Sequence, residues 1–523
     1  MTIPGAWAAR EASKVSGAKI VATLGPSTDD PEILRRLIRA GVSVFRLNFS
    51  HGTFDEFTAR LGRVRAVTER ANRPVAIMGD LSGPKIRVGV VPDLSPGGGV
   101  VLEPGQDIIL RPGHGEASIE HERPVFDTTL DRISHDVQPG ERVLINDGAI
   151  RMLAVERVDG RELHCRVTHG GRVTSKKGIN LPDSDLQVPA ITERDWACVD
   201  WAAEHGLDYL ALSFVRTAEE ILTLKRRLCE VCTSDKPWTD ERVGLPIPVV
   251  AKIEKPQALA NIDAIIEATD AVMVARGDLG VEMDVAQVPV AQKHIISRCS
   301  EIGRPVIVAT QMLETMIDSA TPTRAEASDV ANAVFDGADA VMLSGETAVG
   351  KYPQLVVETM ARIIAVSEDR MGDLPRIQLP EPRLPEYAHR SAALAHGAMH
   401  IAREAKAGLV AVWSQAGGMA GYLSRLDFDI PILAFTSSHV AARRMALLGH
   451  VMPVRQDPGP NGTLREWTSA VEQYVLERGL AREGDSVVLV AGKPLGSVRA
   501  QDGISILRVG DQVSGFRFAP EPR

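Results

Sequence analysis

Polar residues recur in this chain at the ends of short apolar runs, where side chains of suitable type could gather around an anion and a metal ion. FRLNFSHG carries Arg46, Asn48 and Ser50 at every second position, hence on one side of an extended run, with His51 next. AKIEK does the same with Lys252 and Glu254, and ARGD with Arg276 and Asp278. Asp80, Thr310, and Ser344 with Glu346, close three further runs. If their strands are neighbours, about 4.8 Å apart, Glu254 and Asp278 can share one ion, and two carboxylates that leave positions open for water and substrate suit Mg²⁺. Lys252 and Arg276 beside them would make such a pocket cationic enough to hold an anionic substrate. A belt of salt bridges would account for any one of these residues alone, whereas the whole set at one face is what a site requires.

The elements that must position these side chains alternate short β-branched runs with amphipathic helical stretches, the pattern of βα units around a parallel sheet. Eight strands are expected: 19–24, 42–47, 74–79, 207–212, 247–253, 271–275, 305–310 and 338–343. Eight units predict a closed (β/α)₈ barrel, in which functional residues collect at the C-terminal ends of the strands. The pattern is interrupted after Gly83 by a stretch rich in Val, Ile and turn residues, which reads as an all-β insertion. What remains, 19–83 and 187–370, matches the roughly 250 residues of such a barrel. MGDLPRIQLPEPRLPEY, after Arg370, reads as a linker, and LVAVWS, PILAFTS, SVVLVAG and ISILRV beyond it as the strands of an open α/β sheet. The expected fold is therefore an α/β (β/α)₈ barrel over 1–83 and 187–370, a β-barrel-like lid over 84–186, and a C-terminal α/β domain over 371–523.

Composition bounds the partners. With 523 residues, three or four folding units fit. A formal net charge of -9 argues against nucleic-acid binding through a basic surface. Five scattered cysteines suit a reducing compartment; a CxxC at Cys229 and Cys232 can bind zinc or cycle redox, but no second CxxC or HxxxH lies nearby. The first residues have no apolar core like that of a secretion signal, and nowhere do 18 uncharged apolar residues run together, so a cytoplasmic protein without a membrane span is expected.

FRLNFSHG, GDLSGPKIR, KKGINLP, AKIEKP, MVARGDLGVE, VATQMLETM and PTRAEASDVANAVFDGADAVMLSGET resemble the pyruvate kinase family, and so does the order of domains. The resemblance implies transfer of the phosphoryl group of phosphoenolpyruvate to ADP, giving pyruvate and ATP, the last step of glycolysis. It implies that Arg46 and Lys252 contact the phosphoryl group and that Glu254 and Asp278 hold Mg²⁺, with Mn²⁺ as an alternative. Ser213, Thr310 and the backbone at Ala275, Gly277 and Asp278 would bind the rest of the substrate, with Thr310, aided by Ser344 and Glu346, near the proton to be delivered to carbon. Asn48, Ser50, His51, Arg87 and Lys177 would contact the nucleotide. The aromatic residue that some relatives place near adenine corresponds here to Glu56, with Phe57 beside it. An enolate-handling carbon–carbon lyase or mutase would need the same barrel and metal without the nucleotide lid, and a metabolite-binding protein would need none of Lys252, Glu254, Asp278 and Thr310 intact.

Two departures from the family pattern bear on regulation. The monovalent-ion positions implied by resemblance are Asn48, Ser50, Asp80 and the backbone of Leu81. K⁺-dependent relatives read Asp-Thr-Lys-Gly-Pro-Glu at this point, whereas here Lys85 replaces the Glu, so that K⁺ is expected to be dispensable. In the third domain the effector loop of sugar-bisphosphate-activated relatives becomes Ser414, Gln415, Ala416, Gly417, Gly418 and Met419, without the Arg. Thr436, Ser437 and Ser438 still precede a helix, so a sugar- or nucleotide-monophosphate effector is expected rather than fructose 1,6-bisphosphate. A homotetramer is implied by resemblance.

Overall fold

The computed structural model describes residues 17–93, 95, 98–186, 188–232, 246–371, 389–426, 430–493, 495 and 501–517. The expected linker, from residue 372 to 387, lies outside the described residues, as does the segment before Gly17. Eight strands close into a parallel barrel: β1 (Lys19–Thr23), β2 (Val42–Asn48), β3 (Ala76–Asp80), β4 (Tyr209–Leu212), β5 (Val249–Ile253), β6 (Ala271–Ala275), β7 (Val306–Ala309) and β8 (Ala340–Leu343), in the cyclic order of the chain. Each is a short Val-, Ile- or Ala-rich run in which almost every residue is buried, as a sheet covered on both faces requires. One set of alternating residues, among them Val21, Val44, Met78, Val250, Met273 and Met342, fills the barrel; the other packs against the surrounding helices.

Local chemistry fixes where the helices start. Thr53 with Glu56, Thr192 with Asp195 and Thr323 with Glu326 form reciprocal capping boxes at the helices Phe54–Ala71, Glu193–His205 and Arg324–Phe335. The second ends on Gly206 at φ 63°, a left-handed position that glycine adopts without cost, and the chain turns directly into β4.

Between β3 and β4 a seven-stranded sheet and a two-stranded ribbon form, with their own core around Ile108, Phe126, Met152 and Val167. Where the lid meets the barrel lie the bridge of Arg87 to Gly178 and the short strand Ile179–Asn180. Toward the C-terminus, β9 (Leu409–Trp413), β10 (Ile432–Thr436), β11 (Val451–Arg455), β12 (Ser486–Lys493) and β13 (Gln501–Arg508) make a sheet in the order β11-β10-β9-β12-β13, with β13 antiparallel at the edge. β11 was not expected, because Pro453 interrupts its apolar run; as an edge strand it tolerates the missing donor. This domain seals the floor of the barrel: Leu447 enters the barrel core, Arg443 pairs with buried Asp208 at 2.7 Å, and Arg425 pairs with buried Asp339. Among the described residues no helix is long and apolar enough to cross a membrane.

Candidate active site

At the C-terminal mouth, the polar side chains are carried by the last residues of the strands or by the turn or helix that follows them. Arg46, near the end of β2, donates from Nε to Asp80 Oδ2 at 2.6 Å and from a terminal nitrogen to Thr23 Oγ1 at 3.2 Å. Asp80, the last residue of β3, is buried, and so is Lys252 near the end of β5. Lys252 Nζ lies 2.8 Å from Glu254 Oε1 and 3.2 Å from Asp80 Oδ1, and donates to Ser213 Oγ at 2.7 Å. Ser213 donates in turn to the carbonyl of Leu81 at 2.7 Å. Glu254 Oε2 accepts the amide of Phe214 at 2.8 Å, and Phe214 holds φ at +55° to present it, a conformation costly for an aromatic residue.

The electrostatics follow from this packing. Burial opposes the charge on Lys252, but Asp80 and Glu254 outweigh it and hold the ammonium above the ordinary lysine range. Burial likewise opposes the Asp80 carboxylate, but Lys252 and Arg46 keep its pKa below the usual value. Glu254 is pushed up by burial, pulled down by Lys252 and pushed up again by Asp278. Two cations thus face three carboxylates, and the Glu254–Asp278 repulsion is left uncompensated. Hard carboxylate oxygens beside a pocket of about 70 Å³, short of positive charge, fit a divalent cation.

Above this floor a cleft of about 690 Å³ opens between barrel and lid, lined by His51, Lys85, Arg87, Lys176, Lys177, Arg216, Lys255 and Asp278 among others. Burial, then Lys85, Arg87 and Arg46, press the His51 pKa below its ordinary value, so its imidazole is neutral at neutral pH. Arg87 donates to the carbonyl of Lys176 at 2.9 Å and so ties the outgoing lid strand to the returning one.

Several expectations need correction. Arg276 does not share a face with Asp278, because β6 ends at Ala275 and a helix, Arg276–Glu282, begins at once. Its guanidinium turns away to Asp329 at 2.7 Å and to the carbonyl of Thr310 at 2.9 Å, clamping the end of β7 instead of facing a substrate. The Gly277 amide is donated to Thr310 Oγ1 at 2.7 Å, and Thr310 donates to the carbonyl of Ala309 at 2.6 Å. Glu346 accepts the amides of Ser344 and Leu313 and so ties the turn after β8 to the segment after β7. In keeping with the departure from the family already expected at this position, Glu56 is committed to its capping box and Phe57 is buried edge-on against Phe49 and Trp201, so neither offers a face to adenine. In the third domain Thr436, Ser437 and Ser438 are buried. Gln415 exchanges hydrogen bonds with Ser437 and accepts Thr436 Oγ1 on its carbonyl, so these hydroxyls form an internal lock in place of an open phosphate site. Cys229 is exposed and Cys232 partly buried, and the two are not joined in a disulfide.

Lys255, Glu282 and Asn180 were not anticipated. Glu282 is buried and joins the other two, one from the barrel and one from the lid. Nothing in the spacing of the sequence brings them together.

Comparison with known proteins gives the same direction. Residues 15–357 match the family model of the pyruvate kinase barrel domain, and residues 392–507 that of the pyruvate kinase alpha/beta domain. Pyruvate kinase of Mycobacterium intracellulare is 39% identical over 497 residues, covering 94% of this chain and 98% of its own length. That of Mycobacterium tuberculosis strain ATCC 25618 / H37Rv is 39% identical over 498 residues, with the same coverage of both chains. A crystal structure of a pyruvate kinase from Cryptosporidium parvum superposes with a TM-score of 0.82 at 31% identity, covering 94% of this chain and 96% of that one. Family models, full-length relatives and fold agree, and the chain belongs to the pyruvate kinase family, phosphotransferases that use a divalent metal to move a phosphoryl group from phosphoenolpyruvate to ADP.

Proposed function

We propose that the floor and roof of the cleft divide the family reaction between them. The phosphoryl group of phosphoenolpyruvate lies against Arg46 and Lys252, with Ser213 fixing the ammonium, and the substrate carboxylate takes the backbone N–H groups near Ala275, Gly277 and Asp278. In that position it replaces Thr310 Oγ1 as the acceptor for Gly277, which frees a lone pair of Thr310 Oγ1 to accept a water and orient it toward carbon while the hydroxyl still donates to the Ala309 carbonyl. Glu254 and Asp278 hold the divalent ion, Mg²⁺ or alternatively Mn²⁺. When bound, the ion supplies the charge neutralisation that phosphoryl transfer and the developing enolate require. Lys252, whose ammonium form its two carboxylates favour, stabilises the enolate oxygen as a fixed charge.

From the roof, Arg87 and Lys177 meet the nucleotide phosphates, while Asn48, Ser50 and neutral His51 complete the site. The observation that carries this reading is the Lys252 ammonium set between Asp80 and Glu254 directly beneath a cationic cleft. A lyase acting on an enolate would use the floor but has no need of that roof. The decisive assay is pyruvate formation from phosphoenolpyruvate with and without ADP. Strict ADP dependence supports the reading, and ADP-independent turnover to another product overturns it.

K⁺ is dispensable on this reading: Lys85 lines the same small pocket as Asn48, Ser50 and Asp80, and the Leu81 carbonyl already accepts Ser213. We also propose a cytoplasmic homotetramer; Val285 and Val290, 74% and 69% exposed, are side chains that assembly would cover. A monophosphate effector would first have to displace Gln415 from Ser437.

A further inference from the structure

Glu282 is an expensive residue with no role in the chemistry above. Its side chain is 1% exposed, and it ends a helix, where a negative charge opposes the helix dipole. A buried carboxylate persists only when it is paired, and one of its oxygens makes both pairings. Oε1 lies 2.7 Å from Lys255 Nζ and accepts Asn180 Nδ2 at 2.8 Å, while Oε2 is buried without a hydrogen-bond partner among the described residues.

The two partners belong to different bodies. Asn180 sits in the lid strand Ile179–Asn180, three residues after Lys177, and the amide of Ile179 donates to the carbonyl of Ile86 beside Arg87. Lys255 follows Glu254, and its ammonium stands 5.8 Å from the ring centroid of Phe214, whose amide holds Glu254. Glu282 lies four residues after Asp278 on the same short helix, hence on the same side of it. One buried carboxylate therefore connects the root of the lid to the segments that carry Glu254 and Asp278.

We propose that Glu282 is a positioning residue: it pins the root of the lid, through Asn180, to the helix that carries Asp278, so that Lys177 and Arg87 are held in register with the floor. This rests on the reading of Lys177 and Arg87 as nucleotide contacts.

The test compares steady-state kinetics, varying ADP and phosphoenolpyruvate separately, for Asn180→Ala, Glu282→Gln, their double variant and Lys177→Ala. Asn180→Ala cuts only the lid side and leaves the Glu282–Lys255 pair in the barrel, so it carries the test even if Glu282→Gln does not fold. The expected result is a rise in KM for ADP on the order of tenfold for Asn180→Ala, the loss of one hydrogen bond to a charged group. KM for phosphoenolpyruvate stays within about twofold, and the double variant is no worse than the poorer single one. Amide hydrogen exchange at residues 176–180 should speed up in both single variants. If Lys177→Ala raises KM for ADP and Asn180→Ala does not, the latch is wrong and the nucleotide reading stands. If Lys177→Ala is silent, the nucleotide reading itself fails and the proposal with it. Equal rises in both KM values for Asn180→Ala would mean general loss of structure and would also overturn it.

Discussion

Replacing Lys252 with methionine removes a charge of which both the fold and the reaction make use, and the two effects can be read separately. Its ammonium lies 2.8 Å from Glu254 and 3.2 Å from Asp80. At an effective dielectric of 20 each contact amounts to about 5–6 kcal/mol before desolvation is counted. Methionine has a similar length and no charge, so Asp80 keeps Arg46 as its one cationic partner in this cluster, and Glu254 faces Asp278 with only the Phe214 amide to support it. Removing one partner of a buried pair costs about 3–5 kcal/mol, and the melting temperature should fall accordingly. The stranded carboxylates should make the variant more responsive to a divalent ion: Mg²⁺ should raise its melting temperature by more than it raises that of the wild type. Turnover, followed by pyruvate release, should drop by at least about 10³-fold, the scale for loss of a preorganised charge at a developing oxyanion. A variant within tenfold of wild-type kcat, or one whose melting temperature and Mg²⁺ response match the wild type, would refute the reasoning.

Three other outcomes follow from the same geometry. Wild-type enzyme should turn over in Na⁺ or tetramethylammonium buffer without K⁺, and Lys85→Glu should acquire a K⁺ requirement, since two cations at 4 Å repel by about 4 kcal/mol in a dielectric of 20; collapse of wild-type activity without K⁺ would show that Lys85 does not replace the ion. Fructose 1,6-bisphosphate should not activate, because Gln415 closes on Ser437; strong activation abolished by changing Gln415 or Gly418 would contradict this. His450, at the seam between barrel and C-terminal domain, is pushed down to about 3 by burial, with Lys19 and Arg425 adding to the effect. A depressed folded pKa means its contribution is complete above about pH 6.5 and is lost as pH falls, by up to about 1.4 kcal/mol per unit. His450→Gln should therefore flatten the loss of stability between about pH 6 and pH 4 in denaturant titrations, and an unchanged slope would remove His450 as its source.

The barrel was legible because its strands are buried on both faces: apolar runs such as AVMVA and KIVAT leave few alternatives, and the polar residues at their ends then fall at one mouth by topology. Period-two reasoning held within the strand, as for Arg46, and one residue past its end, as for Glu254 beside Lys252. It failed at Arg276, where the strand stops one residue earlier and a helix rotates the guanidinium away. Thr436 to Ser438 were visible as hydroxyls before a helix, but the hydrogen bonds that lock them depend on Gln415, in the turn after β9. The same limit hid Asn180, Lys255 and Glu282: each lies in a recognisable motif, and only the placement of the lid on the barrel joins them. Pro453 concealed β11, since its edge position was not deducible from the run itself.

The central claim is that Glu254 and Asp278 hold the divalent ion on which phosphoryl transfer depends. It is tested most directly by Mg²⁺ titration of ADP-dependent pyruvate formation in wild type and Asp278→Asn, with circular dichroism to verify the fold. Asp278→Asn should stay folded, need at least about tenfold more Mg²⁺ and lose most of its kcat even at saturation. Near-wild-type kcat at the ordinary Mg²⁺ requirement would contradict the account.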